Sequence, residues 1–318
     1  MTDAERMHAR SGLRSVQAPS AVVMIRPHHF ACNPQTAEDN PYQREDATAE
    51  PAELAGRARA EFDEAVARLT AAGVTVHVFE DHGTDTPSSV FPNNWFSTHH
   101  GGRIAIFPMY APSRRRERRV DVVELLKARY RVQEVIDYSG LEHDHLYLEG
   151  TGAMVFDHVE RVAYVGNSHR ADPVILERFC TAFGYEPMVF ASEDELGRPV
   201  YHTNVIMTIG TEFAIVCLAA IADPARRSEI RSRLADSGRA IIDITHEQVR
   251  DFAGNALELS GADGRVLAMS SRAVATLRAD QRAVLEESVA LLPITVPTIE
   301  LDGGSVRCMM AGVHLAPR

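Results

Sequence analysis

The sequence predicts an α/β fold in which one small unit, a β-hairpin followed by a helix and a strand, recurs five times about a common axis. Three observations predict it. The order hairpin–helix–strand repeats along the chain. The units begin at Asn94, Ala153, Asn204, Asn255 and Ser305, separated by 59, 51, 51 and 50 residues, a period that marks repeated supersecondary units. Polar, chemistry-bearing residues stand at the entrance to each first hairpin: Asn93 and Asn94, residues 149–152 (Glu-Gly-Thr-Gly), His202 to Asn204, Asn255, and Cys308.

Taken in order, the first whole unit pairs the apolar run 95–98 with 104–107 across His99-His100-Gly101-Gly102, a glycine turn between strand-like runs. A helical pattern over 120–130 and a strand over 132–136 follow. The second unit has a hairpin over 154–165, a helix over 173–183 and a strand over 187–190. The third has a hairpin over 205–218 turning at Gly210, a helix over 224–236 and a strand over 240–244. The fourth has a hairpin over 257–269, a helix over 279–291 and a strand over 294–297. The fifth unit is split between the ends of the chain. Residues 308–315 supply one strand, and 21–25 supply another, followed by a helix over 52–72 and a strand over 74–79. Pairing of those terminal strands would close the ring.

Composition bounds what such a fold can do. With 318 residues and 45% hydrophobic content the chain can bury a large core. The organisation expected is a flexible tail over 1–18 and a single catalytic domain over 19–318. No run of 18 apolar residues suggests a membrane span, and residues 1–17 lack the apolar block of a secretory signal. Cys32, Cys180, Cys217 and Cys308 are scattered without paired spacing, which argues against a disulfide framework or zinc site and for a reducing cytoplasm. A net charge of −11 gives no support to nucleic-acid binding. The basic run Arg114-Arg115-Arg116 with Arg118-Arg119 reads for the most part as a solvated helix start.

The segment Gly303-Gly304-Ser305-Val306-Arg307-Cys308-Met309-Met310 is the most informative, because it brings a cysteine out of a glycine-rich turn. A thiol alone in that setting reads as a packed residue, as Cys180 and Cys217 do. Its company decides otherwise. Five similar units about one axis would aim Asn94, Glu149, His202, Asn204, Asn255 and Cys308 at one mouth, and a pocket needs such convergent polar groups.

Taken together, Phe91-Pro92-Asn93-Asn94-Trp95, Leu148-Glu149-Gly150-Thr151-Gly152, Tyr201-His202-Thr203-Asn204 and Gly304-Ser305-Val306-Arg307-Cys308 resemble the guanidine-modifying superfamily over residues 24–315. Arginine deiminases, dimethylarginine hydrolases and amidinotransferases form that group. The resemblance implies a five-bladed α/β propeller of pseudo-fivefold symmetry. Within the superfamily the chain most resembles the citrulline-utilisation hydrolases (citrullinases), whose substrate is an ureido rather than a guanidino amino acid.

The chemistry of the residues agrees. A thiol becomes a nucleophile on deprotonation, which a neighbouring His⁺ favours. Cys308 would attack the central carbon, and His202 would protonate the departing nitrogen and then activate water. Glu149 would orient His202 or the substrate nitrogens. An ureido substrate would pass through an S-carbamoyl-cysteine, released as carbamate, with no cofactor and no metal. Arginine deiminases resemble this chain but generally carry aspartates where Asn94 and Asn204 stand. Carboxylates suit a guanidinium; asparagine offers a neutral group both a donor and an acceptor. The α-carboxylate of an amino acid asks for arginine. Arg170 lies 21 residues after Glu149 and Arg114 lies 20 after Asn94, equivalent places in the repeat. Asn93 joins the substrate-binding set, while Arg307 should face away from its neighbour and be structural.

Competing readings stay open. A guanidino substrate is one, with Asp157 or Asp302 supplying the charge. A catalytically silent propeller that binds a partner surface is another, and homo-oligomerisation is compatible with either. His28-His29, His99-His100 and His143-Asp144-His145 read as turn and surface histidines rather than metal ligands. Trp95 reads as packing. The polar, proline-bearing segment 31–51 is either a lid or a surface loop.

Overall fold

The computed structural model describes residues 15–44 and 49–318. Of the tail expected over residues 1–18, residues 1–14 lie outside the described residues, while Gln17 and Ala18 are buried in the fold. Five three-stranded mixed sheets make up the architecture. The first joins both ends of the chain. β1 (Ala21–Pro27) runs parallel to β2 (Thr75–Asp81), with α1 (Pro51–Ala71) as the crossover. A parallel pair requires a long connection of that kind. The other four sheets follow in chain order. The second is β3 (Phe96–His99), β4 (Arg103–Ile106), α2 (Val120–Arg129) and β5 (Glu134–Asp137). The third is β6 (Met154–Asp157), β7 (Val162–Gly166), α3 (Pro173–Phe183) and β8 (Glu186–Phe190). The fourth is β9 (Met207–Ile209), β10 (Phe213–Val216), α4 (Pro224–Asp236) and β11 (Ala240–Asp243). The fifth is β12 (Leu257–Ser260), β13 (Arg265–Ser270), α5 (Ala279–Glu286) and β14 (Ala290–Ile294). In each, the hairpin is antiparallel and the last strand pairs parallel to the middle one.

Local signals in the sequence set these elements. α1, α3 and α4 begin on proline, whose fixed φ and missing N–H suit a first helical turn. Asp172 caps α3 by accepting from the Val174 N–H at 2.8 Å, and Asp223 caps α4 from the Ala225 N–H at 2.9 Å. α3 buries Ile175, Leu176, Phe179, Cys180 and Phe183, one face of a 3.6-residue period, against its sheet. Gln17 then ties neighbouring sheets together. Its Nε2 donates to Phe156 O and Ile209 O, both at 2.9 Å, and its Oε1 accepts from the His158 N–H. No helix among the described residues is long and apolar enough to cross a membrane.

Two expectations are corrected. The helix read over 279–291 ends at Glu286, and the strand begins at Ala290 rather than 294. The apolar run Val289 to Leu292 fits either period, and Pro293 masked the strand. β14 lies at the edge of its sheet, where a proline is tolerated. The strand read over 308–315 shrinks to β15 (Ala311–Gly312), which pairs antiparallel with Val22 and Val23 of β1. Cys308 lies before it in a tight turn, its N–H donating to Ser305 O at 2.9 Å.

Candidate active site

Each unit makes a tight turn immediately before its first strand, and the turns carry the polar residues. Pro92–Asn94 and Thr203–Val205 are 3-10 turns, and Gly150–Ala153 is a single helical turn. Cys308, His202, Asn94, Arg114 and Arg170 line one cavity, together with Tyr201, Asp302 and Ser88. Four separate units contribute to it. The other sequence-predicted residues stand immediately around it. Glu149 bonds to His202, and Asn204 bonds to Cys308. Asn93 does not line the cavity. It is fully buried in the turn behind Asn94, where its carbonyl accepts from Thr151 Oγ1 at 3.1 Å.

The thiol is held by amides. Asn255 Nδ2 approaches Cys308 Sγ at 3.2 Å and Asn204 Nδ2 at 3.4 Å. Asn255 Oδ1 also lies 3.6 Å from Sγ, on the acceptor side of the thiol. Asn255 is itself locked: its Nδ2 also donates to Asn204 O at 3.0 Å, and its Oδ1 accepts from the Arg307 N–H at 3.1 Å. The repeat register marks position 255, but no chemical rule of thumb assigns an asparagine to a thiol, so its contact with Sγ emerges only from the structure.

Glu149 organises the other side. Its Oε2 receives His202 Nε2 at 2.8 Å and Arg170 Nη1 at 3.4 Å, and its Oε1 accepts from the Tyr110 N–H at 2.9 Å. Burial would raise this carboxyl, but the Arg170 guanidinium and the His202 hydrogen bond outweigh it and hold Glu149 far below the usual carboxylate range. Burial lowers His202 below its ordinary value despite Glu149. Arg170 already neutralises that carboxylate. A neutral imidazole therefore rests beside the thiol, in place of the expected His⁺. With Nε2–H given to Glu149, Nδ1 is the basic nitrogen, and it lies over Gly152 beside Asn94 Oδ1. A Cβ added at Gly152 would stand 2.5 Å from that oxygen and 2.7 Å from Nδ1, so glycine is what lets the two groups approach.

The arginines are buried and already paired, which corrects the surface reading for Arg114. Glu117 accepts from Arg114 Nε at 3.1 Å and Nη2 at 2.8 Å. Asp39 accepts from Arg170 Nε at 3.0 Å and also pairs with its Nη2. Asp39 belongs to the 31–51 segment, whose described part packs on the cavity with Thr36 and Asn40 in its lining. Gly303, at φ 79°, turns the chain beneath that segment where a side chain would collide with Asn40. Asp302 lines the same cavity and accepts from the Asn33 N–H at 2.7 Å; burial pushes its carboxyl up to about 6.

Other residues are placed plainly. Trp95 is packed on Phe96. His99 is buried, not a surface turn residue, with Ser97 Oγ on Nε2 at 2.7 Å and Tyr185 Oη on Nδ1 at 3.0 Å. Asp157 is bound by Arg239 and takes no part in the cavity. Among the described residues, the group able to hold a metal is His28, Glu80 and His82, outside the cavity. There Glu80 is already ion-paired to Arg26.

Comparisons with known proteins agree with this picture. The sequence model of the family described as N,N dimethylarginine dimethylhydrolase, eukaryotic, matches residues 26–315. Comparison with curated proteins returns no match. Among solved structures, the N-terminal domain of ArgZ, a cyanobacterial arginine dihydrolase of the ornithine-ammonia cycle, resembles the chain in a Cys→Ser mutant bound to substrate. The TM-score is 0.71 at 16% identity, covering 92% of this chain and 97% of that one. Unliganded AgrE superposes with a TM-score of 0.72 at 16% identity, covering 94% of this chain but 40% of that longer one. A Cys→Ser mutant of DDAH from Pseudomonas aeruginosa, complexed with citrulline, gives a TM-score of 0.62 at 13% identity over 93% and 99% of the two chains. At such identities the structural likeness speaks for the fold alone. The family match extends over nearly the whole chain, so the protein belongs to the N,N dimethylarginine dimethylhydrolase family, hydrolases of C–N bonds other than peptide bonds within the guanidino-modifying, amidinotransferase-like superfamily.

Proposed function

We propose that the protein hydrolyses the ureido group of free citrulline to ornithine, carbon dioxide and ammonia, in a closed five-bladed propeller. The observation that carries this reading is the pair of neutral amides, Asn94 and Asn204, beside Cys308. Both Oδ1 atoms are buried and lack a hydrogen-bond partner. They suit the N–H groups of a planar uncharged substrate, and they offer no charge to balance a guanidinium. No disulfide joins the four cysteines, which suits a reducing cytoplasm.

The reaction proposed for these residues runs in two stages. Cys308 gives its proton to His202 Nδ1 as Sγ attacks the ureido carbon, and Glu149 stabilises the imidazolium that forms. His202 returns the proton to the departing nitrogen, releasing the ornithine amine and leaving an S-carbamoyl-cysteine. The neutral imidazole then takes a proton from water, hydroxide adds to the carbamoyl carbon, and Sγ leaves. The carbamate breaks down to carbon dioxide and ammonia. Arg170 and Arg114 receive the α-carboxylate, with Asp39 giving up its place on Arg170, and Asp302 receives the α-ammonium.

Asp302 also favours a second reading. A carboxylate on this cavity can serve a guanidino substrate, as arginine or a methylated arginine. Product release from citrulline (ornithine and ammonia), arginine (citrulline and ammonia) and N,N-dimethylarginine (citrulline and dimethylamine), each with a Cys308→Ala control, separates the two. The expected result is turnover of citrulline, abolished in Cys308→Ala. Equal turnover of arginine would sink the argument from the asparagines. No release from any substrate would leave a non-catalytic binding module.

A further inference from the structure

A second cavity lies on the other side of the Arg307–Cys308 turn and shares no lining residue with the first. Its polar lining comprises Gln17, Ser97, Thr98, His99, Thr151, His158, Thr208, Arg307 and His314, and no aspartate or glutamate. Arg307 is therefore the only permanently charged group facing it. The three histidines are neutral at neutral pH. Burial lowers His99 and His158 well below the ordinary value and takes His314 down to about 4.

Arg307 is half-buried and differs from the buried arginines. Arg114, Arg170 and Arg239 each meet a carboxylate: Glu117, Asp39 with Glu149, and Asp157. For Arg307 no carboxylate comes within ion-pairing distance among the described residues. Among the described residues its guanidinium donates one hydrogen bond, from Nη1 to Met310 O at 3.0 Å. A partly desolvated charge without a counter-charge is unfavourable, and here burial, opposed by Cys308, lowers the guanidinium to about 10. A second donor is at hand. His158 Nδ1 accepts from Tyr185 Oη–H at 2.9 Å, so the neutral ring carries its proton on Nε2, which makes no hydrogen bond among the described residues, and the ring stacks on His314 with centres 3.8 Å apart. The space open to the centres of water-sized molecules is ≈ 40 Å³. That is room for about three such particles and not for an amino acid.

We propose that this inner cavity is a binding site for a small inorganic anion of the size of chloride, nitrate or bicarbonate, with Arg307 as its cation and His158 as a second donor. The site is separate from the catalytic cavity and does not depend on which substrate the enzyme takes.

Chloride is the probe. In purified protein exchanged into sodium gluconate, whose anion is too large for the cavity, added chloride at constant ionic strength should give excess ³⁵Cl line broadening that saturates. It should also give a saturating rise in Tm, as ligand linkage requires. Nitrate and bicarbonate should compete. Arg307→Met should weaken the chloride affinity at least tenfold, while alkylating Cys308, which fills the catalytic cavity with its own arginines, should leave it unchanged. No saturable signal in the unmodified protein overturns the proposal, whether or not the variant folds. Loss of the signal on alkylation places the anion on Arg114 and Arg170 and also overturns it. A third overturning result is Arg307→Met that binds chloride normally but shifts the pH midpoint of Cys308 alkylation upward, since the counter-charge would then be the thiolate.

Discussion

Four side chains divide the chemistry between charge and neutrality, and each division can be tested one residue at a time. Glu149 is a committed anion, shared between Arg170 and His202. Glu149→Gln removes the charge that stabilises the imidazolium but keeps a hydrogen-bonding side chain. Its kcat should fall by about 10²–10⁴ with a smaller change in KM, as for the loss of general acid–base support. Because burial lowers His202, the acidic limb of the kcat/KM profile should fall below the ordinary histidine value of 6.5. A limb above 6.5 would show that the imidazole is charged at rest. Asn94→Asp puts a carboxylate beside the substrate carbon. Citrulline kcat/KM should drop at least tenfold while arginine turnover rises, and unchanged selectivity would remove Asn94 from substrate recognition. Cys308, His202, Glu149 and Asn94 were legible in the sequence, because chemistry demands those residue types at repeat-equivalent places. Asn255 was visible as a position and not as a role. Its amide serves the thiol only because the turn at Cys308 folds back within 3.2 Å of it, a contact that no local pattern encodes.

At the scale of elements, the turn before each hairpin matters more than the strands. The turn Gly150–Ala153 is wedged between those carrying Asn94 and His202, and Gly152 is its point of closest approach. In Gly152→Ala the new methyl must push Asn94 Oδ1 and His202 Nδ1 aside. Activity should fall by one to two orders of magnitude, while the folded protein melts within a few degrees of the parent. A fully active variant would mean that the two groups need not meet over this turn. The segment at 31–51, described except at residues 45–48, is the element the sequence left undecided between lid and loop. Its polar composition hides what it does: Asn33, Asn40 and Tyr42 are buried, and Asp39 sits on Arg170. The space that the catalytic cavity leaves for the centres of water-sized molecules is only ≈ 20 Å³, too little for citrulline. The described part of this segment supplies Thr36 and Asn40 to the lining, and Asp39→Ala frees Arg170 from it. The expected outcome is a lower KM for an amino-acid substrate, since its carboxylate no longer competes with Asp39. An unchanged KM would remove Arg170 from carboxylate binding. The helices were legible because proline and aspartate punctuate their starts, whereas β14 and β15 were misjudged where apolar residues fit two periods and a turn replaced a strand.

For the whole molecule, the fold gathers several carboxyls into one buried region, and they pull stability in opposite directions with pH. Glu149 is held low, so its contribution is present above the unfolded carboxylate value and is lost as pH falls toward its folded value. Asp302 is the reverse case. Burial raises its carboxyl from 3.8 to about 6, opposed by the bonds from Ser88 and Asn33 and by Arg114 and Arg170. Between those values the folded protein holds a proton that the unfolded chain has released, so stability falls as pH rises. A difference of two decades in proton affinity corresponds to about 3 kcal/mol. Asp302→Asn keeps an oxygen for the Asn33 N–H and removes the titration. Urea unfolding of both proteins at pH 4, 5, 6 and 7 should show the variant gaining on the parent by up to about 3 kcal/mol between pH 4 and 6, then running level with it. Parallel curves from pH 4 to 7 would mean that Arg114 and Arg170 already compensate the Asp302 charge in full. The cavity would then rest as an ion-paired network, and the α-ammonium of a substrate would find no carboxylate whose burial it could relieve.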